Sequence, residues 1–213
     1  NLLEEAKRSN VRLVVKLSRF EAGLRSPSRN GTVHHDREEI LKQSGLSWAI
    51  LRPTLLSNMA LIWARSVARD RVIYCPGGGG KVAPIDPRDV ALVAARLLTQ
   101  DWHEGETYTL TGPELLSMDQ MAGVLSKYLD KPVQFVAVTE PEFIRESTRN
   151  GISDEGTKKW LEIFKAVRQG KCSYLTDTVE RITGRRPHSF GAWCHEHIAA
   201  FQPRAMVEDG AYI

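Results

Sequence analysis

A chain of 213 residues is one large domain or two small ones, and a hydrophobic fraction of 42% is enough for an ordinary globular core. The 29 basic residues against 26 acidic ones leave a formal net charge of +3, too even for nucleic acid to be the main partner. No apolar stretch approaches the roughly 18 residues of a membrane span and no signal peptide is visible, so the reading is cytoplasmic, with Cys75, Cys172 and Cys194 as widely spaced free thiols.

The opening NLLEEAKRS (1–9) reads as the later part of an amphipathic helix with no capping residue before it. The chain starts with Asn1 rather than Met, and the expectation is that further residues precede it. VRLVVKLS (11–18) is apolar and β-branched and predicts a buried strand. VHHDREEILKQSG (33–45) has helical periodicity, with Ile40 and Leu41 apolar and a stop at Ser44-Gly45. SWAILRP (47–53) is a second strand. Two buried strands joined by a helix predict a parallel βαβ crossover. Ligands of such sheets sit at the carboxyl ends of the strands, which here are Ser18 and Pro53.

TLLSNMALIWARSVARD (54–70) predicts a helix with Leu61, Ile62, Ala64, Val67 and Ala68 on its apolar stripe. CPGGGGK (75–81) lacks the GKS or GKT ending of a phosphate loop and does not join a strand to a helix, so it reads as a solvated loop over a cleft. PIDPRDVALVAARLLTQ (84–100) is a helix capped by Asp89, burying Val90, Val93, Ala94, Leu97 and Leu98. TYTLTG (107–112) is a short strand. Ser117 and Gln120 form a capping box for a helix ending near Asp130, and Thr139 and Glu142 form another after the strand VQFVAV (133–138). SDEGTKKWLEIFKAVRQG (153–170) is helical with Trp160, Leu161, Phe164 and Val167 inward; Asp177 caps TVERITG. SFGAWCHEHIAAF (189–201) is amphipathic, and the tail beyond Gln202 reads as loosely held. Cys194 and His197 lie one turn apart, but no second ligand pair is near, so no metal site is expected.

Four stretches, VVKLS, HHDREEILKQSGLSWAILRPTLLSNM, APIDPRDVALVAARLL and TYTLTGPELLSMDQMAGVLSKYL, resemble in order and spacing the NmrA-like branch of the atypical short-chain dehydrogenases/reductases. The closing TDTVERITGRRPHSFGAWCHEHIAAF resembles the last helices of its bacterial-type members, and the likeness spans about 1–201. The resemblance implies an α/β fold: a Rossmann-like parallel sheet, represented by its C-terminal strands, with a smaller, mainly helical α+β substrate-binding cap. Residues 1–112 would belong to the NAD(P)-binding domain, with 54–83 contributing to the cap, and 113–213 to the smaller helical region. The glycine-rich turn that seats the pyrophosphate, and the residue that reads the adenosine ribose, have no counterpart in this sequence. By the resemblance the chain begins just before the fifth strand, which leaves 11–17 as an exposed apolar edge and a predicted aggregation hazard.

The same resemblance implies NADP or NAD as cofactor, NADP being favoured. A Tyr-x-x-x-Lys pair does acid–base work in the wider superfamily; by position His34 replaces the tyrosine and Glu38 the lysine, and their i, i+4 spacing puts both on one helical face. A carboxylate beside an imidazole is expected to raise the histidine pKa. The expected catalytic residues are therefore His34, Glu38 and Ser18, and the expected cofactor contacts Ser18, Pro53, Thr54 and Asn58. Against this, His34 and Glu38 also read as a surface pair worth a few tenths of a kcal/mol, Ser18 and Pro53-Thr54 as plain strand ends, and Asn58 as a helix cap; His35 reads as surface. The function implied is an NAD(P)H-dependent oxidoreductase that reduces a quinone-like or other conjugated small molecule between the sheet edge and the cap. The alternative is a non-catalytic NAD(P)-binding redox sensor with a protein partner; a homo-oligomer is also open.

Overall fold

A computed structural model of the chain describes residues 2–24, 28–101 and 103–203; Asn1 and the expected tail from residue 204 lie outside them. In chain order the elements are α1 (Leu2–Arg8), β1 (Val14–Leu17), α2 (Arg29–Lys42), β2 (Trp48–Pro53), α3 (Ala64–Asp70), β3 (Val72–Cys75), β4 (Lys81–Val82), α4 (Pro87–Thr99), β5 (Glu106–Leu110), β6 (Leu116–Ser117), α5 (Met118–Leu129), β7 (Gln134–Ala137), α6 (Glu140–Arg149), α7 (Asp154–Arg168), α8 (Thr178–Thr183) and α9 (Phe190–His197). They divide into two compact units. Within the described residues the first takes 2–56, 83–115 and 174–189, and the second 57–82, 116–173 and 190–203. The segment Tyr174–Ser189, with α8, thus lies with the sheet rather than with the second unit.

In the first unit β1, β2 and β5 form a parallel sheet in the order β1-β2-β5, with Val14 opposite Trp48 and Ala49 opposite Glu106. The predicted βαβ crossover is present, α2 joining β1 to β2. Side chains alternate across a strand, and here the two faces differ in chemistry. Leu13, Ala49, Leu51, Tyr108 and Leu110 meet Val90, Val93 and Leu97 of α4 and Val179 of α8 in one apolar cluster. The opposite face carries Lys16, Ser18, Ile50 and Arg52 toward α2, whose inward residues include Glu38 and Leu41. Leu41 is buried as its periodicity requires, whereas Ile40 is 57% exposed. Among the described residues β1 pairs with β2 alone; of the expected exposed edge 11–17, Val11 and Leu17 are exposed, whereas Leu13 is buried in the core and Val14, Val15 and Lys16 are half-buried.

Two local readings change. Helix α2 starts four residues early, because the Ser28 hydroxyl accepts the Gly31 amide at 3.0 Å and caps it. Helix α4 is capped by Asp86, which accepts the Arg88 amide at 2.8 Å with Pro87 at the first turn, and not by Asp89. Asp89 is instead buried, accepting the His188 amide at 2.8 Å and facing its Nδ1 at 2.7 Å. That contact ties the segment after α8 to the start of α4.

In the second unit, β3 pairs in parallel with β7, and β4 with β6 antiparallel. The strand at Val72–Cys75 is absent from the sequence reading; it is short, and its partner lies some sixty residues away in the chain. The predicted helix 54–70 resolves into a 3-10 turn at Ser57–Trp63 followed by α3. Both capping boxes form, Ser117 with Gln120 and Thr139 with Glu142. The glycine run is not a solvated loop throughout. Pro76 and Gly77 are buried, and a Cβ on Gly80 would lie 2.2 Å from the Val167 carbonyl oxygen, so α7 packs on the turn itself. Phe143 and Trp160 pack on Phe164 of α7, with ring centroids 5.4 and 5.5 Å away.

Candidate functional site

The carboxyl edge of the first unit's sheet is organised around one buried carboxylate. Glu38 is 0% exposed. Its Oε1 accepts from Nε of Arg52 at 3.1 Å and from the Ser18 hydroxyl, and its Oε2 accepts from Nη2 of Arg52. The guanidinium thus grips the carboxylate with two N–H groups, the strong geometry for this pair. Burial pushes the Glu38 pKa up, but the bonds from Arg52 and Ser18, with the charges of Arg52 and Lys16, outweigh it and hold the pKa below its ordinary value. Gly23 belongs to the same arrangement: a Cβ there would meet Nη1 of Arg52 at 2.5 Å, so the missing side chain makes room for the guanidinium.

His34 stands one turn before Glu38, but the two do not form the expected pair. The imidazole pKa is lowered, not raised. Burial is the largest cause, the charges of Lys16, Arg19 and Arg37 add to it, and Glu38 opposes them as the last of the contributions. Glu38 is taken by Arg52, so its charge is largely cancelled where His34 feels it. His34 is neutral at pH 7, and its Nδ1 is buried without a hydrogen-bond partner. Lys16, on β1 beneath α2, also has a lowered pKa, first through burial and then through Arg37 and Arg52, with Glu38 opposing. Arg19 is balanced by the buried Glu21 at 2.7 Å, whose other oxygen accepts from the Ser28 hydroxyl at 2.8 Å.

The remaining candidates separate. Ser18 is buried and its hydroxyl proton is committed to Glu38; its oxygen still has acceptor capacity. Thr54 is buried, with its hydroxyl 2.7 Å from the Ala83 carbonyl and 3.3 Å from that of Leu110, and its amide donates to Leu110 at 2.9 Å. It stitches β2 to β5 and to the chain before α4. Pro53 ends β2, buried and without an amide proton. Asn58 lies in the second unit, exposed on the turn Ser57–Trp63, one residue past its start and not capping it. His35 is exposed, with its Nδ1 3.3 Å from the Ala22 carbonyl. The structure thus brings together Ser18, His34 and Glu38, and adds Arg52, Lys16 and Gly23. Arg52 had a signal in the sequence: a lone charge inside an apolar strand needs a buried counter-ion.

The second unit holds a cavity of about 840 Å³ beside α3, lined by Leu61, Ala64, Ala68, Arg65 and Arg69. Its arginines are engaged, Arg65 with the Asn150 carbonyl at 2.8 Å and Arg69 with Asp70 and Glu146. Among the described residues no cluster of three metal-ligating side chains occurs, and no helix is long and apolar enough to cross a membrane.

A parallel sheet with a crossover helix that lends polar residues to the strand ends is the layout of a Rossmann-type protein. No family model matches the chain. It is 30% identical over 200 residues to an NAD(P)H azoreductase of Xenophilus azovorans, covering 94% of this chain and 70% of that one. The NADPH complex of an Escherichia coli NADPH-dependent quinone oxidoreductase superposes with a TM-score of 0.84 at 24% identity, over 93% of this chain and 69% of that one. NmrA, a negative transcriptional regulator solved with NADP, superposes at 0.68 and 16% identity, over 93% and 68%. The chain belongs to the NmrA-like family of atypical short-chain dehydrogenases/reductases.

Proposed function

We propose that the protein is an NAD(P)H-dependent oxidoreductase that reduces a quinone-like or other conjugated small molecule at the carboxyl edge of β1 and β2. The observation that carries this is the unpartnered, buried Nδ1 of a neutral His34 beside a Ser18–Glu38–Arg52 network. Those residues fit a dinucleotide's nicotinamide end. Ser18 Oγ can accept from an amide or hydroxyl group, and a ligand at this edge would supply the partner His34 lacks. The bound cofactor supplies the hydride.

The chain's own residues then do three things. Glu38 and Arg52 hold Ser18 in one orientation. Neutral His34 offers a hydrogen bond to the acceptor without first giving up a proton, as a neutral imidazole does when it polarises a carbonyl. Lys16 and Arg37 set a positive field where an acceptor oxygen gains negative charge, and field aimed at developing charge is a large part of catalysis. Glu38 is spent on Ser18 and Arg52, so proton shuttling of the Tyr-Lys kind has no carrier here. Support comes from the azoreductase and quinone oxidoreductase likenesses. The experiment is calorimetric binding of NADPH and NADH, then NADPH oxidation at 340 nm with 1,4-naphthoquinone. Micromolar binding with quinone-dependent oxidation is expected; no dinucleotide binding would overturn the reading. Binding without turnover selects the second reading, a dinucleotide-binding sensor, which the commitment of Glu38 and the likeness to NmrA favour.

A further inference from the structure

We propose that the ligand taken up beside His34 carries a sulfonate, phosphate or carboxylate group, held by Lys16 and Arg37. This rests on the site proposed above and adds the charge of its acceptor. Four cations surround the edge: Lys16, Arg19, Arg37 and Arg52. Two are consumed inside the protein, Arg19 by Glu21 at 2.7 Å and Arg52 by Glu38. Lys16 and Arg37 make no ion pair within 4.0 Å among the described residues. They flank His34 from two elements, Lys16 from β1 and Arg37 from the next turn of α2, and both charges reach the imidazole.

The other acids of α2 do not answer them. Successive helical residues turn by about 100°, so Asp36 points away from the face shared by His34 and Glu38. Glu39 is paired with Lys42 at 2.7 Å. The polar edge thus keeps two cations without an ion pair within 4.0 Å among the described residues, Lys16 feeling Glu38 only at longer range, next to a buried ring nitrogen without a partner. Lys16 is also half-buried, so its charge is held at a desolvation cost that an incoming anion would offset. Together they describe an anion, and the conjugated acceptor proposed above makes its carrier aromatic.

The test uses a redox-inert pair, naphthalene-2-sulfonate and its neutral isostere naphthalene-2-sulfonamide, titrated calorimetrically in low salt. The sulfonate is expected to bind roughly tenfold tighter, and the preference to fall as salt screens it. Lys16→Gln and Arg37→Gln are each expected to lose several-fold for the sulfonate alone. Arg12→Gln, which removes a cation paired with Asp101 at 2.6 Å before β1, is expected to change neither. Equal binding of the two probes by the unsubstituted protein overturns the proposal. So does a parallel loss of NADPH affinity in Lys16→Gln and Arg37→Gln, which would assign the cations to the cofactor's phosphates. Sulfonate preference without any quinone-dependent NADPH oxidation would keep the anion site and remove the redox reading; oxidation without preference would do the reverse.

Discussion

Replacing Arg52 by methionine strips a fully buried carboxylate of its counter-ion while roughly preserving the stem of the side chain. In the native arrangement Glu38 takes two N–H groups from Arg52 and the hydroxyl of Ser18, at 0% exposure. Removing one partner of a buried pair costs about 3–5 kcal/mol, because the remaining charge stays in a medium that cannot solvate it. Arg52→Met is therefore expected to lower the unfolding free energy by that amount. Glu38→Met with Arg52→Met is expected to lose far less, since no charge is left stranded. The sign with pH separates this from simple loss of packing. In the native protein Glu38 titrates below its ordinary 4.5, so its contribution is fully present above 4.5 and lost as pH falls through the lowered folded value. Without Arg52, burial becomes the ruling influence and the folded pKa rises above 4.5. The variant's deficit then shrinks as pH drops from 7 toward 5, by up to about 1.4 kcal/mol per unit. Urea unfolding followed by tryptophan fluorescence at pH 7, 6 and 5 measures both. A loss under 1 kcal/mol, or a deficit constant across these pH values, would refute the argument that Arg52 neutralises Glu38.

His34 is expected to titrate below 6.5 in the folded protein, so it resists protonation that the unfolded chain accepts. Stability should therefore fall as pH drops below 6.5, and His34→Gln should flatten that limb; a ring resonance titrating at or above 6.5 by NMR would contradict the charge reading. Gly112→Ala places a Cβ 1.8 Å from the Pro84 carbonyl oxygen, which is backbone and cannot swing away. A loss above roughly 3 kcal/mol is expected, or failure to fold, read by thermal melting; a melt within 2 °C of the unsubstituted protein would show that the strand end gives. Burial pushes the thiols of Cys75 and Cys194 up to about 12, so neither is expected to react with Ellman's reagent at pH 8 until urea is added. Rapid release of two equivalents from the folded protein would contradict it.

What the sequence could disclose follows the range over which each interaction acts. The βαβ unit is legible because β-branched runs and a helical period are local patterns, and the capping boxes at Ser117 and Thr139 because their partners sit three residues away. The strand at Val72–Cys75 is illegible because four residues carry little periodicity and its partner Gln134–Ala137 is remote. The site divides along the same line. The i, i+4 spacing of His34 and Glu38 correctly places them on one face of α2, yet the imidazole's pKa is lowered first by burial and then by the charges of Lys16, eighteen residues earlier on another element, Arg19 and Arg37, against which Glu38 is the last contribution. A sequence rule for helical neighbours gives the charge a histidine would feel if its neighbours were free. In a crossover helix they are not free, because the same face that presents them also packs on a strand. Arg52 is the residue where the two levels meet: its place in an apolar strand demands a buried acid, α2 brings one over, and satisfying that demand commits Glu38 away from His34, which burial and the cations Lys16, Arg19 and Arg37 then keep neutral.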